Sequence, residues 1–314
     1  MGSTGIRPSS GAPFGTASRL LVVGIGGGGD VVGAHACAEI ARDMGLTAVV
    51  GGLTWERSVI DPLPGPRTLA ELRGARILNE AVAVAGPQTT GPNGVRFAEA
   101  RLAELTAEDV LLVDPHPSPA TVGASLGDAA RELGCDHLVL LDVGGDVLGH
   151  GDEPGLSSPL ADAVLLAASA TVGLPVTLAV WGAGCDGELT PAEVGERVAE
   201  VWAAGGSLGT LALTAGQAKR LERVAEAVPT EASAMALRCA HGVTGATTIR
   251  RGRRQVELTP LGGLFFLLDC EAAMRSAARL AEAVRDAAGL REANAILTRM
   301  GIGTELEYEL SLVR

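Results

Sequence analysis

Three stretches of the chain share one pattern, in which an apolar run enters a glycine-rich loop that carries an aspartate. They read RLLVVGIGGGGD (19–30), LVLLDVGGD (138–146) and LAVWGAGCDGE (178–188). In an open parallel sheet, ligands bind outside the carboxyl ends of the strands. If the three runs are neighbouring parallel strands, their loops therefore converge on one crevice.

The order of apolar and amphipathic segments predicts the fold. Short strand-like runs alternate with helical patterns of about 10–15 residues, which is typical of βαβ units. We expect an α/β, Rossmann-like, doubly wound and mostly parallel sheet. A mobile N-terminal arm (1–17) precedes the Rossmann-like core (18–214), and a C-terminal α/β extension (215–314) packs on that core. Within the extension, residues 264–268 form either core or a homo-oligomer interface, and 305–312 alternate as a strand does.

Composition excludes several classes of partner and site. The net charge of −12 argues against a nucleic acid or an anionic membrane as partner, so we expect a small-molecule metabolite. Residues 160–181 are apolar, but Pro175 and a strand-like end favour a buried helix followed by a buried strand. Five cysteines without a Cys-x-x-Cys pair, and no signal-peptide pattern, indicate a cytoplasmic protein. Lys219 is the single lysine, so a Walker loop is absent.

The first glycine-rich loop fits Gly-x-Gly-x-x-Gly between a strand and a helix, where glycines admit a pyrophosphate. Asp30, at the helix start, would repel a phosphate unless a cation intervenes. The second strand ends in Gly51-Gly52 instead of a ribose-binding acid, so NAD(P) is less favoured than another phosphate or nucleotide. The alternative is a tight turn with Asp30 as helix N-cap. The candidate ligand-binding residues here are Gly24, Gly26, Gly27, Gly28, Gly29 and Asp30.

The second and third loops supply acids directly after strands. Acids at strand ends suit a divalent cation, Mg²⁺ or Mn²⁺, for which Asp30, Asp142 and Asp146 are the candidate ligands. Carboxylates that share a crevice raise one another's pKa. A general base that works near neutral pH needs such a raised pKa. Cys185 lies beside an acid, which favours a packing role over catalysis. The candidate catalytic residues are Asp142, Asp146, Asp186 and Glu188.

A proline-rich loop over residues 55–67 follows the second strand. Prolines reduce the entropy lost on ordering, so this loop suits a wall of the pocket. Arg57 and Arg67 are its natural anion holders, and salt bridges to the acidic surface are the alternative. The candidate ligand-binding residues of this region are Glu56, Arg57, Asp61 and Arg67, with His116 after a later strand.

Six short motifs together resemble one known family, DUF1152, over roughly residues 20–270. They are GGGGD (26–30), WER with IDPLPGPR (55–67), DVGGDVL (142–148), EPGLSSPLAD (153–162), GCDGEL (184–189) and VELTP (256–260). The resemblance implies a single α/β unit with a set of site-forming loops. It supplies neither a substrate nor catalytic residues.

These patterns favour an enzyme of hydrolytic or group-transfer type. Its substrate would be a nucleotide, a nucleoside or a phosphorylated-sugar-like metabolite, bound at the Gly/Asp loops on the carboxyl edge of the sheet. An NAD(P)-dependent oxidoreductase is one alternative, and a ligand-binding module without catalysis is another.

Overall fold

The computed structural model describes residues 13–313 and shows an α/β fold built on one nine-stranded mixed sheet. A separate two-stranded hairpin completes the strand inventory of this part of the chain. The strands are β1 (Arg19–Gly24), β2 (Thr47–Leu53), β3 (Arg76–Ile77), β4 (Val82–Ala85), β5 (Val110–Val113), β6 (His137–Val143), β7 (Val176–Trp181), β8 (Ser207–Ala212), β9 (Gly245–Ile249), β10 (Arg254–Leu258) and β11 (Leu264–Asp269).

Helices cover both faces of this sheet. They are α1 (Asp30–Asp43), α2 (Ala98–Thr106), α3 (Pro119–Glu132), α4 (Leu160–Ala168), α5 (Pro191–Ala203), α6 (Ala215–Ala227), α7 (Ala232–Ala240), α8 (Cys270–Ser276), α9 (Arg279–Val284), α10 (Leu290–Arg299) and α11 (Glu305–Leu312). None of the helices described between residues 13 and 313 is long and apolar enough to cross a membrane.

The sheet is doubly wound, as predicted. Its strand order is β3-β4-β5-β2-β1-β6-β7-β11-β8, and β5, β2, β1, β6 and β7 run parallel. The chain moves from β1 to β2 and β5 on one side, then returns to place β6 on the other side of β1. The point between β1 and β6 is therefore a topological switch point, where crevices form in such sheets.

Alternate residues of the central strands supply the two hydrophobic cores. On β1, Leu21 and Val23 belong to one core and Leu20 and Val22 to the other. Helix α1 packs very closely on the sheet at Gly33, where an added Cβ would lie 2.5 Å from Leu141 Cδ2 and 2.5 Å from Val143 Cγ2. The absence of a side chain at Gly33 therefore fixes how near α1 lies to β6.

The C-terminal region belongs to the same sheet. Strand β11 lies between β7 and β8 and is antiparallel to both. Phe265 of β11 stacks on Trp181 of β7 with ring centroids 5.0 Å apart. Residues 264–268 are thus a core strand, which gives no support for a subunit interface there.

Two local predictions were wrong and one was confirmed. Residues 305–312 form α11 rather than a strand, with the Thr304 side chain accepting a hydrogen bond from Glu307 N at the helix start. Gly51 and Gly52 lie inside β2, which continues to Leu53. The segment that contains residues 160–181 is α4 followed by β7, as predicted.

The predicted N-terminal arm is described only in part. Residues 1–12 lie outside the described residues. Residues 13–17 form a turn in which Phe14 is buried, with its ring in a T-shaped contact with that of His137 at a centroid distance of 6.0 Å. This end of the segment is therefore packed on the start of β6.

We expect Gly33→Ala to destabilise the protein by about 1–3 kcal/mol, because the new Cβ overlaps Leu141 and Val143 at the α1–sheet contact. Gly195→Ala is the matched control, since Gly195 is also inside a helix but an added Cβ meets nothing within 4 Å. That control should leave the free energy of unfolding unchanged or raise it by up to about 1 kcal/mol. Urea denaturation measures both; equal effects of the two substitutions would contradict the close packing at Gly33.

Candidate functional site

The three glycine-rich loops converge, because β1, β6 and β7 are adjacent parallel strands. Their carboxyl ends bring five acids together, and the first turn of α4 adds a sixth, Asp162. All six are at least nine-tenths buried: Asp30, Asp142, Asp146, Asp162, Asp186 and Glu188. We call this set the carboxylate cluster.

Asp30, Asp142 and Asp162 form one half of the carboxylate cluster. Each offers a carboxylate oxygen, and these atoms lie within 4.8 Å of one another. Asp30 Oδ2 accepts hydrogen bonds from Gly26 N at 3.1 Å and Val143 N at 3.3 Å. Asp142 Oδ1 and Asp162 Oδ1, however, have no hydrogen-bond partner among the described residues although both are buried. A buried carboxylate oxygen without a donor is costly unless the carboxyl group is protonated or a cation lies beside it.

Burial dominates the electrostatics of the carboxylate cluster. Desolvation raises the pKa of Asp30 and that of Asp186 to about 7. It also raises the pKa of Asp142 well above its usual range, helped by the nearby charges of Asp30 and Asp186. The pKa values of Asp146 and Asp162 are raised well above theirs in the same way. Each of these five aspartates therefore holds its proton more tightly than in water unless a cation compensates its charge.

Glu188 differs from its neighbours because its oxygens are fully used. Oε2 accepts from Ser157 N at 2.7 Å and Ser158 N at 2.8 Å, while Oε1 accepts from both serine hydroxyls. Arg250 and Arg254 lie 3.4 and 3.3 Å from Oε1. Burial acts to raise the pKa of Glu188, yet the donors and the Arg254 charge hold it below its usual range. Glu188 thus ties the β7 loop to the β9–β10 hairpin, and its predicted catalytic role has no free oxygen to support it.

Asp146 and Asp186 form the other half of the cluster with Glu188; one carboxylate oxygen of each lies within 4.8 Å of the others. Asp186 Oδ1 accepts from Glu188 N at 3.2 Å, and its carboxyl packs against Gly144. Burial, then the charges of Asp162, Asp142 and Asp186, raises the pKa of Asp146, so the two halves interact electrostatically.

Cys185, next to Asp186, points into the core instead of the site. Its Sγ lies 3.8 Å from Cys239 Sγ, and both residues are buried. The hydrogen bond to Cys239 and burial raise the pKa of the Cys185 thiol. This agrees with the predicted packing role.

Protein atoms cover most of the first glycine-rich loop. Gly28 N donates to Trp55 O at 2.8 Å, and an added Cβ on Gly29 would lie 2.3 Å from Thr230 Oγ1. Gly26 is exposed, and its added Cβ would lie 2.7 Å from Asp30 Oδ2 and 3.4 Å from Asp162 Oδ1. Gly24, Gly27, Gly28 and Gly29 are buried. The predicted phosphate cradle is therefore largely closed, and Gly26 is the place where the loop borders both solvent and the cluster.

Arg67, one of the two predicted anion-binding residues, pairs with groups of the proline-rich loop itself. Buried Arg67 pairs with buried Asp61 at 3.2 Å and donates to the Pro64 carbonyl at 2.7 Å, so it fixes the loop. Arg57 is exposed and lies beside Gly28. Glu56 is buried, and its Oε1 accepts from Ala98 N at 2.5 Å. Only Arg57 of this group is placed to meet a ligand at the first loop.

Sequence reasoning missed Asp162 of the carboxylate cluster and, in α2, the buried acid Glu99. Asp162 stands in an apolar helix turn, and its helix position gave no strand-end signal. Glu99 of α2 is 1% exposed, and neither of its carboxylate oxygens has a partner among the described residues. Burial, then the charge of Glu56, raises its pKa well above the usual value. It fills the space beside Gly52, whose added Cβ would lie 2.0 Å from Glu99 Oε1.

His116 is not brought to the carboxylate cluster. It follows β5, which is separated from β1 by β2. Its Nδ1 lies 2.7 Å from Asp114 Oδ1, and it borders a cavity formed with the proline-rich loop and the last two helices.

The family model described as "Protein of unknown function (DUF1152)" matches residues 21–313. The chain belongs to this family. The DUF1152 match includes every residue of the carboxylate cluster and both cavity-lining helices α10 and α11. No curated protein and no solved structure shows significant similarity to the chain.

We expect Glu56→Gln to flatten the pH dependence of stability. Burial raises the pKa of Glu56 from 4.5 to about 7, so the unfolded chain loses this proton first and the free energy of unfolding falls as pH rises through that window. By about pH 8 the loss reaches roughly 3 kcal/mol, and the amide, which can still accept from Ala98 N, avoids it.

Urea denaturation between pH 4.5 and 8, with chelator present, measures this difference. Glu257→Gln, at an exposed position on β10, is the control and should keep the wild-type slope. A slope in Glu56→Gln equal to that of the wild type would contradict the prediction.

Proposed function

We propose that this protein is a divalent-cation-dependent enzyme of hydrolytic or group-transfer type, with its active site at the carboxylate cluster. The substrate would be a nucleotide, a nucleoside or a phosphorylated-sugar-like metabolite. The observation that carries the proposal is the pair of buried, unpartnered oxygens, Asp142 Oδ1 and Asp162 Oδ1, beside Asp30 at the topological switch point.

The charge balance of the cluster supports a cation. Arg250 and Arg254 contact Glu188, and Arg57 acts on Asp30 only at longer range. No described arginine or lysine forms an ion pair with Asp30, Asp142 or Asp162. Carboxylate oxygens are the ligands that Mg²⁺ and Mn²⁺ prefer, and an ion there would replace the missing partners of both orphaned oxygens.

Each residue then has a distinct role. Asp30, Asp142 and Asp162 would hold the cation, whose chemistry is to polarise a phosphoryl or carbonyl oxygen. Asp146 and Asp186, in the other half of the carboxylate cluster, would accept or deliver a proton. Glu188 would position Asp186 through its backbone N–H and through the loop that both residues share.

Gly26 suggests the route of approach. It is exposed and lies beside the carboxyl groups of Asp30 and Asp162, so we infer that a phosphate or hydroxyl approaches the cation past this residue, which has no side chain. Arg57, exposed beside Gly28, would pair with an anionic substrate there.

The two other functions have less support. An NAD(P)-dependent oxidoreductase needs an acid for the ribose after β2, and Glu56 is occupied by Ala98 N. A binding module without catalysis would use the same cation site, so turnover of a substrate distinguishes it from an enzyme.

We expect metal-stripped protein to bind Mn²⁺ or Mg²⁺, with a gain of about 2.7 kcal/mol in stability at 100 times the dissociation constant. Asp142→Asn and Asp162→Asn should each weaken binding by at least about tenfold, because each removes a charged ligand. Asp128→Asn, an exposed acid on α3, is the control. Calorimetric titration with each ion measures the affinities. Wild-type affinity in both cluster variants would refute the cation site, and cation binding without turnover of any phosphorylated substrate would favour the binding module.

We expect Gly26→Ala to impair cation binding while the fold is kept. The methyl group would lie 2.7 Å from Asp30 Oδ2 and displace that carboxylate. Gly86→Ala is the matched control, because a Cβ there meets nothing within 4 Å. The same titration should show at least about tenfold weaker Mn²⁺ binding for Gly26→Ala alone, which corresponds to about 1.4 kcal/mol.

A further inference from the structure

A second concave site lies at the same edge of the sheet, away from the carboxylate cluster. It is a cavity of about 330 Å³ between the proline-rich loop and helices α10 and α11. Its apolar lining comes from Pro64, Pro66, Leu290, Leu306 and Leu310. This volume is at the lower end for sites that bind small metabolites.

Two cationic or basic groups face this apolar space. Arg291, in the first turn of α10, lines the cavity, is exposed and forms no ion pair within residues 13–313. His116 lines it too, with Nδ1 held by Asp114 at 2.7 Å, whereas Nε2 has no hydrogen-bond partner in the part of the chain that the structure describes. In the imidazolium form both nitrogens donate, one to Asp114 and one to an anion.

The other polar groups near the cavity are occupied. Asn294 donates to Glu307 Oε1 at 2.8 Å and accepts from Thr304 Oγ1 at 2.6 Å. Glu309 accepts from Trp55 Nε1 at 3.2 Å and Gly65 N at 2.7 Å. Neither glutamate lines the cavity, so Arg291 and His116 define its polar character.

We propose that this cavity is a binding site for a small organic carboxylate with an aliphatic body. Arg291 would receive the carboxylate, a pairing that can be bidentate, and His116 would donate to it from Nε2. The leucines and prolines would cover the aliphatic body. This proposal does not rest on the cation-dependent activity, because none of its residues belongs to the carboxylate cluster.

His116 is positioned at its backbone as well as its side chain. Its carbonyl accepts from Leu290 N at 3.0 Å, and its amide N donates to Asp114 Oδ1 at 2.9 Å. The same Asp114 carboxylate accepts from Leu69 N through Oδ2. Because these hydrogen bonds already hold His116 in place, its side chain loses little conformational entropy when a ligand binds.

The test is calorimetric titration of the full chain with octanoate, octanamide, acetate and inorganic phosphate. We expect octanoate to bind and the other three probes to bind at least about tenfold more weakly, because each lacks the charge or the aliphatic body. Octanamide binding as tightly as octanoate would overturn the carboxylate assignment. Acetate or phosphate binding as tightly would overturn the role of the apolar walls.

Matched variants assign the binding to this cavity. Arg291→Gln should weaken octanoate binding by at least about tenfold, whereas Arg299→Gln, an exposed arginine at the other end of α10, should not. Equal affinity in both variants would overturn the proposal. Asp142→Asn should weaken cation binding and leave octanoate binding unchanged, so the failure of either proposal is visible by itself.

Discussion

The arrangement of the loops after β1, β6 and β7 depends on one constraint. Ionisable carboxyl groups are buried there, out of contact with water. A buried carboxylate must be hydrogen-bonded, protonated or paired with a cation. Glu188 meets this requirement with two backbone N–H groups, two hydroxyls and two arginines. Asp142 and Asp162 do not meet it through protein donors alone, since each keeps one buried oxygen without a partner in the described chain. This contrast distinguishes Glu188, a structural acid, from Asp142 and Asp162, which are candidate cation ligands.

Glu188, whose oxygens all have partners, also helps to hold in place the segments around Asp142 and Asp162. Glu188 connects residues 155–158 with the hairpin arginines, and Glu305 of α11 accepts from Leu160 N and Ala161 N at the start of α4. Asp162 follows directly in that helix turn. Segments from the beginning, middle and end of the chain therefore hold the cluster, and its geometry depends on the complete fold.

Much of the fold and part of the site could be predicted from sequence. The convergence of Asp30, Asp142 and Asp186 followed from parallel strands, because their carboxyl ends share an edge. Asp162 could not be found in this way, since it enters from a helix, and Glu99 reaches the edge through space left by Gly52. The strand prediction for residues 305–312 was wrong because alternating acidic and apolar residues fit a strand. Leu306 and Leu310, four residues apart, also share one face of a helix.

The position of β11 has a consequence for the order in which the protein is made. Strand β8 pairs only with β11 within residues 13–313, although some fifty residues of chain separate them. Until the ribosome has released β11, β7 is the outer strand of the growing sheet, and its unpaired backbone can join another chain. The loop that carries Asp186 and Glu188 follows directly after β7. Because Arg250, Arg254 and Glu305 also follow β7 in the chain, the contacts that hold the carboxylate cluster can be completed only after residues far beyond β7 have been made.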